Sequence, residues 1–157
     1  MHDPHTETIL ESRREPVKHA ATDEKLEFDY EPLSHSLEDY LEVMVDLTGA
    51  PNVPVRAVDI ARKLEVSKAS VSKATAVLKE RGFADQPYYG DITLTDEGYH
   101  YGSYIWKKHQ LLYRFLTEII GIDPETANYE ACQIEHAICL ESYQKWLEYW
   151  KKLGLTS

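Results

Sequence analysis

Six side chains in three separate stretches have the types and spacing to hold a divalent cation. Asp39 and Glu42, in SLEDYLE, stand three apart, so on a helix their carboxylates share a face. Cys132, Glu135 and His136, in CQIEH, stand at i, i+3 and i+4, again on one face, and His109 in KKHQ supplies a second imidazole. Oxygen and imidazole donors suit Mn2+ and Fe2+, whereas the Cys132 thiolate biases the set toward softer ions. The acids are interleaved with Tyr40, Leu41, Val43, Ile134 and Ala137. Carboxylates packed beside apolar residues are costly unless something positive neutralises them. With its thiol ionised, Cys132 joins Asp39, Glu42 and Glu135 in a tetra-anionic set that two divalent cations would balance, so one or two ions per subunit are expected. Taken singly, each pair also fits a solvated helix surface, and Cys132 a small buried hydrophobe.

A metal bound in this way serves either hydrolysis or regulation. Zinc hydrolases pair two helical histidines with a general base, as in HExxH. Here Glu135-His136 is followed by Leu140, not by a second histidine four residues on, so an enzyme is not expected. A metal-independent regulator that binds a small organic ligand would need an apolar pocket in place of these acids. No small-molecule substrate is expected.

A second chemistry lies in VRAVDIARKLEVSKASVSKATAVLKERGF. Ser67, Lys68, Ser70, Ser72 and Lys73 cluster at the start of a helical stretch. Short polar donors and acceptors read base edges, and cations meet phosphates, so these residues have the composition of a DNA-recognition surface. A well-capped, solvated helix is the alternative.

The 157-residue chain carries 17 basic and 27 acidic side chains, net −10, with a pI near 5.1. That total argues against a surface that binds nucleic acid throughout. The charge is uneven, however. Within residues 55–82, Arg56, Arg62, Lys63, Lys68, Lys73, Lys79 and Arg81 face only Asp59, Glu65 and Glu80, whereas the stretches on either side are acidic. No apolar run reaches the roughly 18 to 20 residues of a membrane span, and the first residues lack a signal-peptide pattern. The two cysteines, Cys132 and Cys139, fall in one expected helix, about 10 Å apart and too distant for a disulfide. A cytoplasmic, reduced protein without membrane partners is the expectation.

These residues require elements to position them. Residues 1–33, with Pro4, Pro16 and Pro32, lack sustained periodicity and read as an acidic, flexible arm, with a short helix near Thr8–Arg14. The arm-side histidines His2, His5, His19 and His35 are assigned to disorder in preference to metal binding. Ser36 is placed to cap a helix bearing Leu37, Tyr40, Leu41, Met44, Val45 and Leu47, stopped by Gly49. Val58, Ile60, Ala61 and Leu64 mark a short helix, broken at Glu65-Val66-Ser67. A second helix, capped by Ser67, follows with a core face of Val71, Ala74, Val77 and Leu78. Phe83-Ala84-Asp85 and Ile92-Thr93-Leu94-Thr95 flank a Tyr-Gly-Asp turn and predict a hairpin. Its tip, Gln86 to Asp91, has no Lys or Arg, leaving Tyr88 and Tyr89 for a weak DNA contact. Helix, turn, helix and hairpin together describe a winged helix. Beyond it a helix is expected from Tyr99 to Ile120, and a last one from about Tyr129 to Leu153 with surplus apolar residues suited to a dimer interface.

SLEDYLE, VSKASVSK, ITLTDEG, KKHQLLYRFL and IEHAI, in this order over about residues 36–150, resemble the diphtheria toxin repressor / manganese transport regulator family (DtxR/MntR). The resemblance implies a mainly α protein: a winged helix-turn-helix DNA-binding domain over 34–98 and a helical metal-binding and dimerisation domain over 99–157. It implies a homodimeric, metal-activated repressor of metal-uptake genes that binds operator DNA. Asp39, Glu42, His109, Glu135 and His136 match the family's ligand positions. Cys132 stands where manganese-type members commonly carry glutamate and iron-type members cysteine, while Asp39 and Glu42 are manganese-like. Mn2+ is therefore expected, with Fe2+ the alternative. A chain ending near Ser157 resembles the shorter manganese-type members.

Overall fold

The computed structural model describes residues 31–88 and 90–155, excepting the Tyr88 side chain. Tyr89, the expected helix near Thr8–Arg14, and His2, His5 and His19 lie outside the described residues. The described residues form two compact units, 31–106 and 107–155, which share one continuous helix.

The first unit begins with α1 (His35–Thr48). Its cap is Ser34, not Ser36: the Ser34 hydroxyl accepts from the Leu37 N–H at 3.3 Å, and Ser36 falls inside the helix. Gly49, at φ 70°, ends it as expected. A short strand absent from the sequence reading, β1 (Val55–Arg56), leads into α2 (Ala57–Leu64). Glu65 then adopts a left-handed conformation, and Ser67 caps α3 (Lys68–Glu80) by accepting from the Ser70 N–H at 3.1 Å. Strands β2 (Ala84–Tyr88) and β3 (Asp91–Leu94) form the hairpin, and β1 adds to its far side. The antiparallel order is β1-β3-β2, with Val55 opposite Ile92 and Ala84 opposite Leu94. Pro87 lies on the outer strand, where pairing is irregular between Asp85 and Tyr88, a position that tolerates a missing N–H.

Leu41, Met44, Ile60, Val71, Leu78, Phe83, Ile92 and Ile105 are all essentially buried in this unit. Burying such a side chain contributes roughly 1.5–3 kcal/mol. One expected core residue is displaced. Val77 is exposed, and Thr75 is buried instead, its hydroxyl satisfied by donating to the Val71 carbonyl at 2.7 Å.

The shared helix, α4 (Asp96–Arg114), starts three residues before the expected Tyr99. Thr95 opens it: its hydroxyl accepts from the Gly98 N–H at 3.1 Å and donates to the Gly82 carbonyl at 2.7 Å. Two glycines set the approach of its neighbours. A Cβ on Gly98 would lie 1.9 Å from the Phe83 carbonyl oxygen, and one on Gly102 would lie 2.6 Å from Val45 Cγ2 and 3.0 Å from the Leu41 oxygen. Backbone contact at Gly102 thus fixes α1 against α4.

In the second unit α4 passes into a π-helical stretch, Phe115–Ile120, closed by Gly121. Asp123 caps α5 (Pro124–Ala137), its carboxylate accepting from the Thr126 N–H at 3.0 Å, which holds the acid below its ordinary range. The single last helix expected from the sequence is two helices. Ile138 and Cys139 are extended, and α6 (Leu140–Lys152) follows. The buried Lys108 ammonium donates to the Ile138 carbonyl at 3.0 Å, satisfying a backbone acceptor that the break leaves outside the helix ladder. Trp150 is buried against Tyr143 and Trp146, at ring-centroid distances of 6.2 and 5.3 Å.

Candidate metal centre

The α1 donors come first. Leu41, Met44 and Val45 turn into the core, and Glu42 is carried in with them, 2% exposed, while Asp39 is half-buried. One oxygen from each of Asp39 and Glu42 lies within 4.8 Å of the other, as the i, i+3 spacing requires. The neighbouring acid, Glu38, has a separate task. Its Oε2 accepts from the Tyr101 hydroxyl at 3.2 Å, and that hydroxyl accepts from the Leu33 N–H, also at 3.2 Å. Burial, with Glu38 adding to it, pushes the Tyr101 phenol up to about 12. His35, set aside on sequence grounds, is the first residue of α1, and one of its ring nitrogens lies within 4.8 Å of an Asp39 oxygen. The one-turn spacing before Asp39 was the available signal.

The second unit assembles a denser group. Glu135 on α5 is fully buried, and its carboxylate meets an imidazole at each oxygen. Oε2 lies 2.6 Å from His109 Nδ1 on α4, and Oε1 lies 3.2 Å from His136 Nε2. His109 is 1% exposed, and its Nε2 lies 3.0 Å from Asn128 Oδ1, a partner not singled out from the sequence. Cys132 sits one turn before His136, half-buried, with its sulfur within 4.8 Å of a His136 ring nitrogen. Ala127 and Ala131 on the same helix are both fully buried. Cys139 lies apart from this group, exposed at the start of α6, where Ser142 holds its thiol below the ordinary range.

This donor set fits a divalent first-row ion. Burying carboxylates is costly, and a divalent cation held by them and by the neighbouring imidazoles would offset that cost. The thiolate position adds one softer donor.

On α3, Val71, Ala74, Thr75 and Leu78 face inward, leaving Lys68, Ser72 and Lys73 exposed. The Ser67 and Ser70 hydroxyls are 3.0 Å apart and engaged in the cap. Much of the surrounding positive charge is used internally. Arg56 and Arg62 pair with Asp59 at 3.0 and 3.3 Å, Lys63 pairs with Asp46, and Arg81 donates to the Glu31 carbonyl.

Residues 32–91 match the N-terminal DNA binding domain of the iron dependent repressors, and residues 95–152 match their metal binding and dimerisation domain. An HTH-type transcriptional regulator of Methanocaldococcus jannaschii is 34% identical over 114 residues, 72% of this chain and 90% of its own length. The chain belongs to the iron-dependent repressor family. It thus stands among metal-dependent, DNA-binding transcriptional repressors of the DtxR/MntR type, whose second domain dimerises. The diphtheria toxin repressor of Corynebacterium glutamicum is 33% identical over 74% of this chain, which spans half of that relative's length. A solved manganese-dependent transcriptional repressor in complex with manganese shares 28% identity, with a TM-score of 0.63, over 76% of this chain and 53% of its own. The winged helix followed by a helical domain, expected from the sequence, is the family's architecture. Among the described residues no helix is long and apolar enough to cross a membrane.

Proposed function

We propose that this family member is a cytoplasmic, homodimeric repressor activated by Mn2+, with Fe2+ the alternative, that controls metal-uptake genes. Asp39, Glu42, His109, Cys132, Glu135 and His136 are its ligands, for one or two ions per subunit. Domains over 34–98 and 99–157 divide DNA reading from metal binding and dimerisation, following an arm over 1–33. The observation that carries this reading is Glu135, fully buried between the two imidazoles of His109 and His136.

A divalent ion held by these residues would supply the positive charge that balances their carboxylates and thiolate. Asp39 and Glu42 contribute from the helix that packs in the DNA-binding unit, and the other four contribute from the helical unit. By sharing one ligand set, these residues restrict the separations that the two winged helices of a dimer sample, favouring the spacing of two major-groove half-sites. Ser67, Lys68, Ser70, Ser72 and Lys73 present the α3 N-terminus to operator DNA, with Ser67 and Ser70 also ordering it, the short polar side chains offered to base edges and the lysines meeting phosphate. A protein working this way needs no catalytic group, and Glu135-His136 lacks the second histidine of a hydrolytic zinc motif.

The test is a mobility-shift panel using metal-free chain, a duplex selected from a random pool, and Mn2+, Fe2+, Zn2+ or Mg2+. Mn2+ and Fe2+ should produce the shift and Mg2+ should not. Equal shifts without any metal would refute the proposal.

A further inference from the structure

We infer that Asn128 is a positioning residue that commits His109 to binding metal through Nδ1. The inference rests on the ligand assignment proposed above. Imidazole has two nitrogens, and which one meets the metal is set by what the other one bonds. In this structure the Nε2 edge of His109 is occupied by Asn128 Oδ1 at 3.0 Å, and Nδ1 faces Glu135, itself a proposed ligand, at 2.6 Å. Nδ1 therefore points into the donor group and Nε2 points away from it.

The placement of Asn128 follows from α5. Asn128, Cys132 and Glu135 recur at i, i+4 and i+7, so the helix face that offers the donors also offers the amide. An amide at this point holds the imidazole plane without adding charge or competing for the ion, since a neutral amide oxygen is a weaker ligand than the carboxylates and imidazoles around it. A leucine of similar volume would fill the space but accept nothing from Nε2. An aspartate would keep the acceptor.

The experiment uses the full chain labelled with 15N-histidine and titrated with 113Cd2+, followed by long-range proton–nitrogen correlation of the His109 ring. Cadmium-113 coupling is expected at Nδ1, with Nε2 retaining its hydrogen. Asn128→Leu should weaken Cd2+ binding about 10- to 100-fold and erase the single-tautomer pattern, and Asn128→Asp, which keeps an acceptor for Nε2, should restore that pattern. Coupling at Nε2 in the wild type would overturn the inference without recourse to any variant. Unchanged affinity and ring shifts in a folded Asn128→Leu would overturn it while leaving the ligand assignment intact. No cadmium effect on the wild-type His109 ring would overturn the assignment of His109 as a ligand and this inference together.

Discussion

His109 Nδ1 and Glu135 Oε2 face each other at 2.6 Å in a pair of which neither member is more than 2% exposed. The two come from different helices, 26 residues apart in sequence, and the second carboxylate oxygen is met by His136. Removing one partner from such a group leaves a buried charge without its counterpart, which ordinarily costs 3–5 kcal/mol. The contact therefore ties α4 to α5 and brings two proposed ligands side by side.

Metal preference should turn on Cys132. Replacing the thiolate with a carboxylate, Cys132→Glu, makes every anionic donor an oxygen, so activation by Mn2+ should persist while the response to Fe2+ or Zn2+ falls. DNA-binding titrations with each metal check this. An unchanged metal ranking would show that the thiol is not a ligand.

DNA affinity should depend on α3 through Lys68 and Lys73. Arg56, Arg62, Lys63 and Arg81 are engaged in internal contacts, so the exposed lysines are the ones assigned to phosphate. Lys68→Ala and Lys73→Ala should each weaken binding across all sequences and lower the slope of log K against log salt by about 1. A slope equal to wild type in both variants would remove these residues from the interface.

Stability of the first unit should be sensitive to Gly102. Alanine there gains up to about 1 kcal/mol of helix propensity, but its Cβ would lie 2.6 Å from Val45 Cγ2 in a buried contact. Overpacking of this kind costs about 1–3 kcal/mol, so Gly102→Ala should lower the Tm of the metal-free chain and displace α1 with Asp39 and Glu42. A Tm at or above wild type would contradict the close approach.

The parts of the fold legible in the sequence are those marked by local chemistry. Ser67, Gly49, Gly121 and Asp123-Pro124 each announce a helix end by cap geometry, and each stands at one. The break at Ile138-Cys139 carries no glycine or proline, and it is joined to α4 by Lys108, a partner 30 residues away. Strand β1 is two residues long and exists only through pairing with β3, so no periodicity could reveal it. The donor types and their spacing within each helix were readable from i, i+3 and i+4 patterns. Glu38 and Asn128 were not separable from their neighbours, because their roles depend on Tyr101 and His109, which lie far off in the chain.

The coupling of the α1 carboxylates to DNA binding is tested most directly by fluorescence anisotropy of a labelled, pool-selected duplex, titrated with wild-type chain and Glu42→Ala, each metal-free and with Mn2+. Wild type should bind tightly only with Mn2+, and Glu42→Ala, still a folded dimer by sedimentation and circular dichroism, should bind weakly in both states. Mn2+-dependent binding by Glu42→Ala equal to that of wild type would contradict the proposed ligand set.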